Sequence, residues 1–128
     1  EEARLLANLK AAGVADRAEI VSADMRDMPL QDQSFDGVVS AFAIDHLGAG
    51  AFRLALSEVS RVLKPGGEFL FLTVNRDLWL QIAYPMLGGY FGQPAAAERW
   101  KTLLSAGGFD ILETGTQPGK LYILCRKR

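Results

Sequence analysis

The sequence predicts an α/β domain: a mostly parallel sheet with helices between its strands, closed by a C-terminal antiparallel hairpin. Three observations predict it. Apolar runs of strand length, Phe35–Ile44 and Glu68–Val74, flank a stretch with helical apolar spacing. Strands that alternate with helices imply right-handed βαβ units. The last two β-rich runs are joined only by Gln117-Pro118-Gly119, a hairpin-length loop. The 128 residues suffice for one core. At 49% hydrophobic and 23% charged the composition is that of a globule and excludes disorder. A formal charge of -1 excludes a global basic field, so no nucleic-acid partner is expected. No apolar run reaches membrane-spanning length, so no membrane partner is expected either.

Glu1–Ala12 carries Leu5, Leu6 and Leu9 on one helical face, and Gly13 terminates it. No Ser, Thr, Asp or Asn caps its start, so the chain opens as if inside something larger. Glu19–Ala23 is a short strand candidate ending at Asp24. A polar stretch with Pro29 and Gln31-Asp32-Gln33-Ser34 follows. Phe35–Ile44 is almost continuously apolar and fits a strand covered on both faces. Ala51–Leu63 is a helix with Phe52, Leu56, Val59 and Leu63 inward. Lys64 suits its negative end, and Pro65-Gly66-Gly67 stops it. Glu68–Val74 is a strand, Leu78–Leu87 a short helix and Pro94–Ala106 a helix ended by Gly107-Gly108. Phe109–Thr116 and Lys120–Arg126 make the hairpin. The Arg126-Lys127-Arg128 end reads as solvated. Cys125 is a single thiol read as a small buried hydrophobe, so nothing demands an oxidising compartment and a cytoplasmic setting is expected.

Two stretches resemble the class I S-adenosylmethionine-dependent methyltransferases. Asp24-Met25-Arg26-Asp27-Met28-Pro29-Leu30 followed by Ser34-Phe35-Asp36-Gly37-Val38-Val39-Ser40 is similar to the family's D-x-x-x-[LM]-P-[LF]…S-F-D-x-V-x-S region. Arg61-Val62-Leu63-Lys64-Pro65-Gly66-Gly67-Glu68-Phe69-Leu70 is similar to its R-x-L-K-P-G-G-x-[LF] turn. The resemblance implies a Rossmann-like sheet of order 3-2-1-4-5-7-6, with residues 1–128 forming one partial methyltransferase domain. The family's glycine-rich loop and first two strands are missing from this stretch, so the fold is expected to be N-terminally truncated. Glu19–Ala23 would be the third strand and Phe35–Ile44 the fourth, separated by about three strand spacings of ~4.8 Å. The fourth strand would then expose an apolar edge. Three arrangements answer this: a piece of a larger protein, a homodimer through the Phe35–Ile44 edge, or a third strand shifted onto the fourth. The first is expected.

The resemblance also assigns residues. S-adenosylmethionine is the implied cofactor of the intact protein. Asp24 would accept from its adenine amino group and Met25 would offer a backbone N–H to the ring, although Asp24 also suits a cap on the following turn. Ser40 and Ala41 would face the cofactor's amino-acid part, or simply pack. Asp45 and His46 follow the strand and would meet substrate, with His46 a candidate base or orienting group. Trp79 and Tyr90 fall in an aromatic cluster suited to a substrate pocket or to lid packing. One His and one Cys make no metal site. Methyl transfer to a small molecule is the implied activity of the intact protein, with this chain alone inactive. The alternative is a non-catalytic methyltransferase-like binding or dimerisation module. A nucleotide-binding oxidoreductase is the weaker rival.

Overall fold

The computed structural model describes residues 2–74 and 97–128. It contains helices α1 (Glu2–Ala11), α2 (Ala49–Val62) and α3 (Ala97–Ala106) and strands β1 (Phe35–Ala41), β2 (Leu63–Val74), β3 (Phe109–Gln117) and β4 (Lys120–Lys127). The four strands form one sheet of order β1-β2-β4-β3. β1 and β2 are parallel and joined through α2, as the sequence pattern requires. β3 and β4 are the expected hairpin, and β4 lies antiparallel on β2. The expected helix over Leu78–Leu87 lies outside the described residues, as do Trp79 and Tyr90.

The core lies on one face of the sheet. β2 turns Phe69 and Phe71 toward it, β4 turns Leu121, Ile123 and Cys125, and β3 turns Phe109. α2 meets them with Phe52, Ala55, Leu56 and Val59, and α3 with Trp100 and Leu104. Trp100 sits 5.1 Å from the Phe71 ring and 5.4 Å from Phe52, within the range of favourable ring pairs. Cys125 is fully buried, and that burial pushes its thiol up to about 12, so it packs as an apolar residue.

The K-P-G-G turn has a precise steric cause. Between Phe35↔Leu63 and Gly37↔Glu68 the register jumps, so residues 64–67 loop out opposite one residue of β1. Gly66 takes φ +76, a left-handed conformation. A Cβ on Gly67 would lie 2.9 Å from the Lys64 carbonyl and 3.1 Å from that of Asp36. Lys64 reaches across to Asp36 at 2.8 Å.

Several expectations are corrected. Glu19–Ala23 is not a strand: among the described residues it has no ladder partner, and it does not shift onto β1. A strand needs a neighbour to satisfy its backbone, and no described strand pairs with it. The Phe35–Ile44 run ends as a strand at Ala41, and Ile44–His46 turns into a short 3-10 segment. It is not covered on both faces: within β1 only Ser40 is buried. The C-terminal cations are not merely solvated. Arg126 pairs with Glu68 and Arg128 with Asp110, and Lys127 donates to the carbonyls of Ser60 and Leu63. Lys127, not Lys64, therefore serves the negative end of α2.

Candidate functional site

The two parallel strands end side by side, with Ala41 opposite Leu72 and the Phe42 N–H donating to the Leu72 carbonyl at 3.0 Å. Carboxyl ends of parallel strands are where α/β folds place ligands. Phe42 stands there with φ +52, an uncommon left-handed conformation for a bulky side chain. Such strain concentrates at functional loops, and no sequence signal marked it.

Along the outer side of β1 runs a cavity of about 390 Å³. It is lined mostly by apolar groups, among them Met25, Met28, Leu30, Val38, Ile44 and Val59, and Ser40 lies on its wall. The Ser40 side chain is 9% exposed, and its Oγ has no hydrogen-bond partner among the described residues. A buried hydroxyl with no partner is costly. One convergent polar group in an apolar cavity of this size is the make-up of a small-molecule site. The structure thus brings Met25 and Ser40 into one cavity.

Asp45 is half-buried beyond the end of β1. Its Oδ2 accepts from the Thr73 hydroxyl of β2 at 2.6 Å, which ties the loop to the neighbouring strand end. Its Oδ1 is buried without a partner among the described residues. His46 is exposed, and its N–H closes the short turn onto the Ala43 carbonyl. Neither lines the cavity.

Asp24 is engaged locally. Its Oδ1 accepts from the Arg26 backbone N–H and Nε, both at 2.9 Å, and Oδ2 from the guanidinium at 2.6 Å. These bonds hold its carboxyl near 2, well below the usual value. This is the turn-capping geometry.

Sequence reasoning missed the clamp that positions this segment. Arg61 donates to the carbonyls of Leu30 and Met28, at 2.7 and 2.9 Å, and pairs with Asp32. Both carboxylate oxygens of Glu58 take Arg61 at 2.7 Å, and one also accepts the Met28 N–H at 2.8 Å. The Arg61 guanidinium and then the Met28 N–H draw the Glu58 carboxyl down to about 2. The i, i+3 spacing of Glu58 and Arg61 was the available signal.

A larger cavity, about 670 Å³, lies between α2 and α3, with Arg53, Ser57 and Leu103 on its walls. None of Met25, Ser40, Asp45 and His46 lines it. Among the described residues no group of side chains is arranged to hold a metal ion, and no helix is long and apolar enough to cross a membrane.

Residues 2–71 match the family profile described as a methyltransferase domain. The chain is 36% identical over 98 residues to the ubiquinone/menaquinone biosynthesis C-methyltransferase UbiE of Bartonella tribocorum, covering 69% of this chain and 37% of that protein. It is 37% identical over 86 residues to the enzyme of the same name from Brucella anthropi, with 59% and 32% covered. The chain thus spans about a third of the length of these relatives. Among solved structures, a Thermotoga maritima S-adenosylmethionine-dependent methyltransferase superposes with a TM-score of 0.69 at 20% identity, over 93% of this chain and 70% of that one. The Burkholderia thailandensis 1,6-didemethyltoxoflavin-N1-methyltransferase, solved with S-adenosylhomocysteine, gives 0.71 at 17%, over 92% and 54%. The fold matches across nearly the whole chain and the family profile across more than half of it, and this chain belongs to the class I S-adenosylmethionine-dependent methyltransferases.

Proposed function

We propose that these residues form the carboxyl-terminal portion of an enzyme that methylates a small molecule, and that the chain alone is inactive. The observation that carries the reading is the buried Ser40 hydroxyl, unpartnered among the described residues, in an apolar cavity that runs along β1 to its carboxyl end. When bound, S-adenosylmethionine supplies a methyl group activated by a sulfonium. Ser40 and Met25 fit one part of such a group, since they offer a hydroxyl and an apolar wall in one cavity. Asp24 supports it less directly, because Arg26 already occupies its carboxylate.

The chain's own contribution is alignment. Methyl transfer from a sulfonium gains most from holding nucleophile and methyl in line, which a fixed loop provides. Thr73 fixes Asp45, leaving its second oxygen to orient a substrate hydroxyl or amine. His46, exposed on the same turn, takes the departing proton. Expected partners are the small-molecule acceptor and the remainder of the cofactor site. The setting is cytoplasmic.

Calorimetry with S-adenosylmethionine tests this. The chain is expected to give no micromolar binding, and the same chain extended by its in-frame upstream codons to give it. Micromolar affinity of the chain alone overturns the proposed inactivity. Absence of binding by the extended chain overturns the enzyme reading in favour of a non-catalytic module.

A further inference from the structure

We propose that the cleft between α2 and α3 binds a small anion with an apolar body, at a place separate from the cavity beside β1. The inference is independent of the proposed activity. The two helices run side by side in the same direction. Phe52 packs on Trp100 with ring centroids 5.4 Å apart, and one turn further along α2 Leu56 packs against Gly107, just past the end of α3. A Cβ on Gly107 would collide with the Leu56 side chain, so glycine lets the helices approach this closely. The resulting cleft of about 670 Å³ has the size of a small-molecule site.

Its walls differ in chemistry. On α2, Arg53, Ser57 and Ser60 form one row at i, i+4 and i+7, and all three line the cleft. Among the described residues the Arg53 guanidinium and the two hydroxyls have no hydrogen-bond or ion-pair partner. Phe52 and Leu56 make the floor, and α3 supplies the apolar side with Leu103 and Ala106. Arg99 shares the helical face of Leu103 and Ala106 at i, i+4 and i+7. It stands at the level of Arg53, because their neighbours Trp100 and Phe52 touch. It too has no ion-pair partner among the described residues.

Charge selects the occupant. No Asp or Glu lines the cleft. Arg61, at its edge, is occupied by Glu58 and Asp32. Lys127, also on its wall, donates only to the neutral carbonyls of Ser60 and Leu63. Arg53, Arg99 and Lys127 therefore leave their positive charges without a carboxylate, in a chain whose formal charge is -1. A cleft lined by one sign of charge concentrates the opposite ion. The guanidinium fork matches a carboxylate or a phosphate, and the row of hydroxyls suits the remaining oxygens. A bare anion would leave the apolar floor wet, and a neutral hydrocarbon would leave the guanidinium unanswered. The ligand that satisfies both walls carries a carboxylate or phosphate head on an apolar body.

Titration of the full chain with naphthyl phosphate and with naphthoate, followed by calorimetry and amide NMR, tests this. At least one is expected to bind and to shift the amides of Ser57, Ser60, Leu103 and Gly107, and the tighter of the two identifies the head group. Naphthalenemethanol, which has the body without the charge, and inorganic phosphate, which has the charge without the body, are each expected to bind about tenfold more weakly or worse. Arg53→Gln, at an exposed site, is expected to weaken binding about tenfold, the value of one charge-assisted hydrogen bond, and Arg53→Lys to weaken it less. If Arg53→Gln does not fold, Ser57→Asp, exposed on the same row, is expected to abolish binding. The proposal is overturned if neither anion binds, if the shifts fall elsewhere, or if the neutral alcohol binds as well as the anions. It is also overturned if folded Arg53→Gln binds as the wild type does, or if a short oligothymidylate binds the same amides more tightly than either naphthyl anion, which would assign the cleft to a polyanion.

Discussion

At one edge of the sheet, β3 carries a register break between Ile111 and Glu113, and its charges Asp110 and Glu113 are engaged by Arg128 and by the Tyr122 hydroxyl. At the other edge, β1 runs regular and apolar from Gly37 to Ala41 beside a cavity. β3 has the devices of a strand that ends a sheet: a bulge, charges and short side chains. β1 has the composition of an interior strand. A polar, irregular edge marks the natural limit of a sheet, whereas a regular apolar edge marks where another strand belongs.

The largest expected effect tests which edge is built into the core. Phe109 of β3 is fully buried between Phe69 and the helices. Phe109→Ala is expected to cost about 3–5 kcal/mol in urea unfolding. Val38, the half-buried residue on the same face of β1, loses only two partly covered methyl groups on Val38→Ala, about 1 kcal/mol. Equal costs would break the contrast.

Next is the clamp on the β1 side. Arg61→Ala removes the donors that hold Met28 and Leu30 against α2, and is expected to lower the urea midpoint by less than Phe109→Ala does. Limited proteolysis is expected to cut first between residues 24 and 34. The same clamp makes stability depend on pH. The folded Glu58 carboxyl lies near 2 against 4.5 when unperturbed. A group depressed on folding stabilises fully above its unfolded value and loses that contribution as pH falls toward the folded one. Melting temperature should therefore drop between pH 4.5 and 2, and less steeply in Glu58→Gln.

Much of this fold was legible because it is written in short-range patterns. The stripe of Phe52, Leu56 and Val59, the hairpin around Pro118-Gly119 and the Gly66-Gly67 turn all stand where spacing and turn chemistry put them. Glu19–Ala23 failed as a strand because strand character depends on a neighbour, which local sequence does not supply. The site was legible in part. Met25 and Ser40 do share a cavity, but the Asp45–Thr73 bond spans 28 residues and the Phe42 strain has no sequence mark. The Glu58–Arg61 clamp was not legible, because it closes on backbone groups of Met28 and Leu30 whose position no motif encodes.

The smallest expected effect is the sharpest check on the two edges. Leu112 of β3 is 43% exposed, beside the register break. Leu112→Lys adds the same charge that Val39→Lys adds to β1, at the opposite edge of the same sheet. If edges differ only by how apolar they are, both substitutions should alter association alike. If the break at Ile111/Glu113 already closes the β3 edge, Leu112→Lys should change stability by less than about 0.5 kcal/mol and leave the sedimentation mass as it was. A shift in mass with Leu112→Lys would show that β3 recruits strands, and the distinction between an ended and an open edge would fall.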